Sequence, residues 1–499
     1  MLFYYHQKAF DSVDRYYLWY KLSKLGIRGK LLSVIKSMYA NVRASVLVNG
    51  FITEDFEKNV GLMQGEVLSP ILFSLYVNDF ENEFFCSDTI PKEIQDLNLF
   101  VLLYADDMVI FSESVDGLQK MLDILYEYTS KWHLTVNVAK TKIVVFRNGG
   151  KLHTNEQWTY NGQLLDIVDS FTYLGVIFKY NCKFLETEKK LAEQGQKCLY
   201  TMLSRTKYLY LNNETMLALF ETYVKSFLCY GCEVWGSHKA NDIDKVFMKF
   251  CKRLLGVKAN CNNAMVYIEL GCLPLRCVRI IRMIKYWFKL LGTTNCILKS
   301  CYVNLTIDCK AKRSCSNWAA FIRSELYSIG LGELWEHQEY LVFQKHFPII
   351  KKRIIDVHCQ ELYAVINNSP KCYIFSHLID NFCMQSYLLK PIPKKFRRCI
   401  TKYRLESHSL AVESGRYKNI ARNERKCIFC NHNDIEDVFH FVLKCPLYNS
   451  LRSRYIKNYY VKKPSVFKLV QLLSSNNTKE LCNLGKYLHY ATMFRNSLL

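Results

Sequence analysis

The chain has 499 residues, half of them hydrophobic and 14% aromatic, so it can bury more than one core and should contain more than one domain. Lysine and arginine outnumber aspartate and glutamate by 67 to 45, and the formal charge of +22 predicts a polyanionic partner. No apolar run approaches the roughly 18–20 residues that span a membrane, and the N-terminus lacks the pattern of a secretory signal. We therefore expect an intracellular protein without a membrane partner, whose 21 scattered cysteines are mostly buried thiols.

The first 150 residues predict a mixed α+β domain, because their apolar residues follow helical spacing in some segments and strand-like runs in others. Helices are predicted at 18–25, 31–39, 68–84 and 117–132, and strands at 44–48, 99–103, 108–111 and 143–146. Ser69 should cap the third helix, with Pro70 at its first position. Another strand is predicted at 171–178.

Tyr104-Ala105-Asp106-Asp107 joins two of these apolar runs, which predicts a β-hairpin with both aspartates at its tip. Adjacent carboxylates on a rigid turn are suited to holding Mg²⁺, which prefers oxygen ligands. Two such ions can stabilise both the attacking and the leaving oxygen of an in-line displacement. Taken alone, an Asp-Asp pair is also typical of a solvated turn.

Four further motifs accompany this hairpin in a fixed order. They are Lys8-Ala9-Phe10-Asp11-Ser12-Val13-Asp14, Gly61-Leu62-Met63-Gln64-Gly65-Glu66-Val67-Leu68-Ser69-Pro70, the segment 134–142 with Lys140-Thr141-Lys142, and Tyr173-Leu174-Gly175-Val176-Ile177-Phe178. The set resembles the reverse transcriptase of non-LTR (LINE-type) retrotransposons, closely over residues 2–260 and more loosely beyond. The resemblance implies an α+β palm, an antiparallel sheet with packed helices, followed by a helical thumb. It also implies an RNA-directed DNA polymerase that uses Mg²⁺, or Mn²⁺, with an RNA template, a DNA primer or target DNA, and dNTPs.

The resemblance assigns roles to individual residues. Asp106 and Asp107 would bind the catalytic metal ions, and Lys140 would lie near the triphosphate. Phe10 would exclude a 2′-hydroxyl from the incoming sugar. Gln64 and Gly65 would approach the templating base and the nucleotide, since glycine permits a close backbone approach. The strand at 171–178 would hold the primer end.

Tyr5 departs from the family pattern at the position of a third metal-binding aspartate, three residues before Lys8. A neutral phenol is a poor ligand for a hard cation, and a neutral imidazole at His6 is no better. Asp11 and Asp14 lie beyond the end of the predicted strand, so they should not reach the same metal ions. We therefore expect an impaired polymerase.

Two alternatives stand beside the polymerase. One is a catalytically inactive nucleic-acid-binding relic of the same family. The other is an RNA-templated RNA polymerase, against which Phe10 and the Leu68-Ser69-Pro70 string argue. Because the first motif begins close to Met1, we also expect an N-terminally truncated protein that lacks the fingers and an endonuclease.

We expect four regions: a palm at 1–180, a helical thumb at 181–260, a helical connector at 261–400 and a C-terminal region at 401–499. Thumb helices are indicated by two apolar stripes, one with Leu191, Cys198, Leu199 and Met202 and one with Leu217, Phe220, Val224 and Phe227. Basic residues that could contact phosphates are Lys252, Arg253, Lys394, Lys395, Arg397 and Arg398, although a solvated basic face explains them about as well.

Cys427-x₂-Cys430-x₉-His440-x₄-Cys445 has the spacing of a closed tetrahedral Zn²⁺ site, which predicts a structural zinc knuckle at 427–445. His432 is the substitute ligand if His440 is not used, and four ordinary residues of a cysteine-rich chain are the alternative. The surrounding strings resemble the C-terminal region of LINE-type elements. That resemblance implies binding of RNA and target DNA, with Arg416 and Lys418 as phosphate contacts, and a location in the nucleus and cytoplasm.

Overall fold

The computed structural model describes residues 1–85, 87, 89, 91–94, 97–153, 155–311, 317–379 and 381–499, with the backbone alone at 310, 311 and 340–344. The chain divides into two units, one formed by Met1–Thr187 with Thr293–Cys315 and the other by Glu188–Gly292 with Ser316–Leu499. The first unit holds the strands and the second is helical, so the mixed α+β class predicted from the sequence is confirmed.

The strands are β1 (Leu2–Tyr5), β2 (Arg43–Ala44), β3 (Leu47–Val48), β4 (Phe51–Ile52), β5 (Phe56–Glu57), β6 (Lys92–Ile94), β7 (Leu97–Leu99), β8 (Val101–Tyr104), β9 (Asp107–Ile110), β10 (Lys142–Ile143), β11 (Thr159–Tyr160), β12 (Gln163–Leu164), β13 (Asp166–Ile167), β14 (Ser170–Tyr173) and β15 (Val176–Lys179). The α-helices of the first unit are α1 (Arg15–Lys24), α2 (Gly29–Met38), α3 (Ser69–Tyr76), α4 (Phe80–Phe85), α5 (Val115–Lys131) and, later in the chain, α13 (Cys296–Ala311), while α6 (Leu185–Arg205) begins there and continues into the second unit.

The remaining helices belong to the second unit. They are α7 (Asn213–Leu219), α8 (Lys225–Leu228), α9 (Cys232–Trp235), α10 (Asn241–Leu255), α11 (Asn263–Leu270), α12 (Leu275–Leu291), α14 (Trp318–Ser328), α15 (Gly332–His337), α16 (Tyr340–Asn367), α17 (Tyr373–Ser376), α18 (Lys394–Arg404), α19 (Ala411–Tyr417), α20 (Asn449–Tyr455), α21 (Asn458–Val461), α22 (Val466–Leu473) and α23 (Thr478–Ser497). Short 3₁₀ turns and two π turns, Phe220–Val224 and His440–Lys444, connect several of them.

A five-stranded sheet in the order β13-β10-β1-β9-β8 organises the first unit. Its pairs are antiparallel except β10 with β13. Side chains alternate between the faces of β1: Leu2 and Tyr4 enter the main core, whereas Phe3 belongs to a smaller core on the other face. The β14–β15 hairpin contributes to that smaller core, where Phe3 stacks on Phe171 with ring centroids 4.4 Å apart. By the same alternation Tyr5 lies on the hairpin side.

The predicted helix at 68–84 is wrong as a single element, because it breaks into α3 and α4. The ammonium of Lys21, from α1, donates to the carbonyl of Tyr76 at 2.6 Å and to the Asp79 carboxylate at 2.6 Å. The carbonyl of Tyr76, which would accept a backbone amide in a longer helix, instead accepts from the Lys21 side chain. Ser69 is the first residue of α3 and donates its hydroxyl to the Met63 carbonyl at 2.6 Å, so its predicted capping role is also wrong.

Three predicted strands are shorter or divided. Residues 44–48 split between β2, which pairs with β5, and β3, which pairs with β4. Phe100 separates β7 from β8, and residues 143–146 reduce to β10. The single strand predicted at 171–178 is instead a hairpin of two strands, β14 and β15, with Tyr173 opposite Val176.

The apolar stripes of the second unit are largely buried, with one shift of register. Phe220 and Val224 are buried, but Phe227, predicted on the same stripe, is 46% exposed and Leu228 is buried instead. The π turn at Phe220–Val224 accounts for the shift, since it adds a residue to one turn and rotates everything after it. No helix among the described residues is both long and apolar enough to cross a membrane.

Candidate functional site

The paired aspartates lie at the tip of the β8–β9 hairpin, as the sequence predicts. Tyr104 pairs with Asp107 to close the hairpin, and Ala105 and Asp106 form its two-residue turn. Ala105 adopts a φ of +53°, a left-handed conformation that fits the tight turn between strands. The turn thus presents two adjacent carboxylates at the edge of the strand that pairs with β1.

Tyr5 lies directly opposite Asp107, because β1 and β9 are antiparallel with these residues in register. Its ring centroid is 6.0 Å from that of Phe171 on the β14–β15 hairpin. Burial raises the pKa of Tyr5, and the charges of Asp107 and Asp106 raise it further, so the phenol is neutral at pH 7. Burial, and then the charge of Asp106, raises the pKa of Asp107 as well.

His6 lies on the opposite face of the strand from this group. Its Nδ1 is 2.7 Å from the Tyr4 hydroxyl, and its ring packs edge-on against Phe73 in the main core. Burial lowers the pKa of His6 to about 3, so the ring is neutral. It therefore adds no charge or ligand to the aspartate pair.

The loop that carries Lys140 is tied to the end of β1. The Asn137 amide donates to the Tyr5 carbonyl at 2.8 Å, and the Tyr5 amide donates to the Thr141 hydroxyl at 3.4 Å. The Lys140 amide donates to the Asn137 side chain at 3.1 Å, and its own side chain is exposed. Lys140 is thus held on a loop anchored to the strand of Tyr5.

Phe10 and Gln64 are neighbours in space, because the segment at 58–65 runs beside the turn at 10–13. The Leu62 backbone amide donates to the Phe10 carbonyl at 2.7 Å. The Gln64 side chain donates through Nε2 to the Asp11 carboxylate at 2.9 Å. The Phe10 ring packs on Phe73 at 5.1 Å between centroids. Lys58 pairs with the other Asp11 oxygen at 2.7 Å, so both carboxylate oxygens of Asp11 already have partners.

The tight backbone packing of this motif is at Gly61, and the approach of Gly65 to a templating base or nucleotide stays a prediction. A Cβ on Gly61 would lie 2.6 Å from the Asp11 carbonyl oxygen, whereas one on Gly65 would meet nothing within 4 Å among the described residues. Both glycines have positive φ, +83° and +88°. Sequence reasoning missed the packing of Gly61 and the partners of Asp11, and only Gly61 left a signal, as a glycine at the start of its motif.

The predicted basic residues separate into different environments. The Lys252 ammonium donates to the Ala259 carbonyl at 2.6 Å, while Arg253, the next residue of α10, is exposed. Arg416 pairs with the buried Glu413 at 3.1 Å. The remaining four lie in the first turns of α18: Lys394 and Lys395 are exposed, and Arg397 and Arg398 half-buried.

Cys427, Cys430, His440 and Cys445 come together, with their ligand atoms all within 4.8 Å of one another. The Cys427 and Cys445 sulfurs are 4.0 Å apart, and Cys430 Sγ is 3.4 Å from His440 Nε2. The π turn explains the spacing: the Cys445 amide donates to the carbonyl of His440, five residues earlier, at 2.8 Å, which puts both side chains on one side.

The surroundings of this cluster suit a closed, soft-ligand metal site. His440 Nδ1 lies 3.4 Å from the Asp434 carboxylate, which would orient the ring so that Nε2 faces the cysteines. Burial raises the pKa of Cys427 to about 12, and the apolar setting disfavours a thiolate without a cation. Three sulfurs and one imidazole nitrogen fit tetrahedral Zn²⁺. His432 lies outside the group and is exposed.

The chain resembles known proteins over the part that carries this site. The family model for reverse transcriptase (RNA-dependent DNA polymerase) matches residues 3–178. The chain is 27% identical over 258 residues to the RNA-directed DNA polymerase from mobile element jockey of Drosophila funebris, covering 50% of this chain and 27% of that protein. It is 26% identical over 259 residues to the jockey polymerase of Drosophila melanogaster, with the same coverage.

A third relative is the probable RNA-directed DNA polymerase from transposon BS of Drosophila melanogaster, 25% identical over 251 residues, or 48% of this chain and 27% of that protein. The chain thus spans about a quarter of the length of the curated relatives it matches. The motif resemblance is confirmed: residues 3–178 match the reverse transcriptase family, and the chain is similar to the RNA-directed DNA polymerases of non-LTR retrotransposons.

Proposed function

We propose that the chain is the RNA-directed DNA polymerase part of a non-LTR retrotransposon protein, with an RNA template, a DNA primer or target DNA, and dNTPs as its partners. The observation on which this rests is the Asp106–Asp107 pair at the tip of the β8–β9 hairpin, within the segment that matches the reverse transcriptase family. Residues 1–180 would form its palm, 181–260 the thumb, 261–400 a connector and 401–499 the C-terminal region.

The proposed chemistry is nucleotidyl transfer at the hairpin tip. Asp106 and Asp107 would hold Mg²⁺, or Mn²⁺, and their adjacent hard oxygens fit such an ion. A bound pair of ions would supply charge stabilisation for the attacking and leaving oxygens. Lys140 would neutralise the leaving pyrophosphate or give it a proton. Phe10 would reject a 2′-hydroxyl by its bulk, and Gln64 and Gly65 would position the template and the nucleotide.

We propose that this polymerase is impaired, because Tyr5 occupies the place of a third carboxylate. Its register opposite Asp107 puts the phenol where a carboxylate would adjoin the pair. The neutral phenol brings no negative charge, so two carboxylates rather than three would have to hold the metal ions. The Asp11 carboxylate already forms an ion pair with Lys58 and accepts a hydrogen bond from the Gln64 side chain.

A tyrosine instead of a carboxylate opposite Asp107 also favours the second candidate function, nucleic-acid binding without catalysis. Phosphate contacts would come from Lys252, Arg253, Lys394, Lys395, Arg397, Arg398 and Arg416, in a chain of formal charge +22. A structural Zn²⁺ at Cys427, Cys430, His440 and Cys445 would stabilise the C-terminal region in either case. We expect an intracellular location, in the nucleus and cytoplasm, from the family.

The reaction class is tested by primer extension with the Tyr5→Asp protein, which restores a carboxylate. An RNA template with a DNA primer, Mg²⁺ and dNTPs should give extension, and NTPs should not. Phe10→Ala in the same background should admit NTPs, because the bulk beneath the sugar is removed. Preference for NTPs before that change would instead support the RNA polymerase. Binding of the template–primer without extension would support the inactive binding protein, and failure of both would contradict both proposals.

A further inference from the structure

Two basic segments that are far apart in the sequence meet in the second unit. Arg253 lies in the last turn of α10, and Arg398 lies in the second turn of α18. A guanidinium nitrogen of Arg398 donates to the Arg253 carbonyl at 3.5 Å. The Arg398 side chain also covers Gly256, the left-handed residue that ends α10, since a Cβ on that glycine would lie 2.7 Å from Arg398 Nε.

Within the part of the chain that the structure describes, the cations at this junction have no acidic partner. Neither Arg253 nor the four basic residues in the first two turns of α18 form an ion pair there, whereas Arg404 at the other end of α18 pairs with Glu269 at 2.7 Å. Arg398 Nε is buried without a hydrogen-bond partner. Burial, and then the charges of Arg398, Arg397 and Arg253, lower the pKa of Lys394, so these cations are close enough to repel one another.

The beginning of α18 adds to the positive potential. The helix has 11 residues and starts Lys-Lys-Phe-Arg-Arg, with no acidic residue in its first turn and no side-chain cap at Pro393. A helix N-terminus carries a partial positive charge and favours anions, so four cations there are unfavourable unless an anion joins them. The carbonyl end of α10 can stabilise Arg398, which it touches, but that contact leaves Lys394 and Lys395 uncompensated.

We propose that Arg253, Lys394 and Arg398 form one composite site for the phosphates of a nucleic-acid backbone at the junction of α10 and α18. The proposal rests on the nucleic-acid binding proposed above and adds where one contact lies and that two distant segments share it. Guanidinium and ammonium groups with free helix amides recognise phosphate oxygens without reading bases. The contact should therefore be independent of sequence and strongly dependent on salt.

The test measures the affinity of the full-length protein for a fluorescent RNA–DNA hybrid by anisotropy over a series of KCl concentrations, without dNTPs or Mg²⁺. The variants are Arg253→Gln, Lys394→Gln and their double. Lys479→Gln is the matched control, an exposed lysine in the first turn of α23. Lys394→Arg keeps the charge and should keep the affinity. Equal melting temperatures would show that the variants are folded.

Each glutamine variant should weaken binding and reduce the slope of log affinity against log salt by about one, and Lys479→Gln should leave both unchanged. Because the two cations share phosphates, the double variant should lose less than the product of the single losses. Losses that multiply, or variants that match Lys479→Gln, would overturn the composite site. Failure of the wild-type protein to bind the hybrid would also overturn it. Variants that bind the hybrid as wild type does but bind poly-glutamate more weakly would indicate an acidic protein partner and overturn it too. Since the assay needs no polymerisation, a failed polymerase and a failed phosphate site give different results.

Discussion

Among single residues, the side chains around the candidate site are placed by strand register and turn geometry. Tyr5 is opposite Asp107 because β1 pairs with β9, and it cannot supply the charge of a carboxylate. Asp11 has the charge but is held by Lys58 and Gln64. The segment with Gln64 can lie beside the turn at 10–13 because Gly61 has no side chain there.

Gly61→Ala should be clearly more destabilising than Gly65→Ala. Both substitutions place a Cβ on a residue with positive φ, at a cost of about 1–2 kcal/mol. Only Gly61→Ala also forces a Cβ to within 2.6 Å of the Asp11 backbone, so the segment at 58–65 must move away from Asp11. Urea unfolding of both variants measures the difference. Equal losses would show that the segment at 58–65 does not pack on Asp11 in this way.

At the scale of elements, one lysine joins three helices of the first unit. The Lys21 ammonium, from α1, lies 3.8 Å from the centroid of Trp132 and 4.8 Å from that of Tyr128, at the end of α5. It also pairs with Asp79, just before α4, while its side chain is only 5% exposed. The buried Lys21 ammonium therefore links the helices that pack against the sheet of the candidate site.

The stability contributed by Lys21 should depend on pH. Burial lowers the pKa of Lys21 from 10.5 to about 8, so between about pH 8 and 10.5 the unfolded chain binds more protons than the folded one. Stability from this group therefore rises with pH in that window. The difference in unfolding free energy between wild type and Lys21→Met, followed from pH 7 to 10, should grow in favour of wild type. The exposed Lys24→Met is the control, and a flat difference for Lys21→Met would contradict the burial of its charge.

The stability of the C-terminal region should depend on a metal ion, because the π turn before Cys445 brings this residue beside His440 in a four-ligand cluster. One Zn²⁺ per chain is expected by atomic absorption, and Cys430→Ser should abolish it and lower the melting temperature, because the remaining ligands cannot close a tetrahedron. Cys482→Ser, at a half-buried cysteine outside the cluster, should change neither. Zinc retained by Cys430→Ser together with wild-type melting would exclude this ligand set.

At the scale of the whole molecule, the sequence predicts what local patterns determine. The aspartate hairpin, the helices near α1, α2 and α5 and the spacing of Cys427–Cys445 each depend on neighbouring residues. The misplacement of Phe227 and Ser69 follows from bonds that no periodicity contains: a π turn in one case and a bond to the Met63 carbonyl in the other. The meeting of Arg253 with Arg398 could not be predicted, because nothing in either string specifies which helices pack together.

If Tyr5 limits the proposed reverse transcriptase site, restoring a carboxylate at this position should raise primer extension on an RNA template. Wild type, Tyr5→Asp, Tyr5→Phe and the double variant Tyr5→Asp/Asp107→Asn would be compared with dNTPs and Mg²⁺. We expect Tyr5→Asp to exceed wild type by about tenfold or more, the equivalent of at least about 1.4 kcal/mol of barrier. Tyr5→Phe should match wild type, and the double variant should lose the gain. Full extension by wild type, with no gain in Tyr5→Asp, would contradict the account.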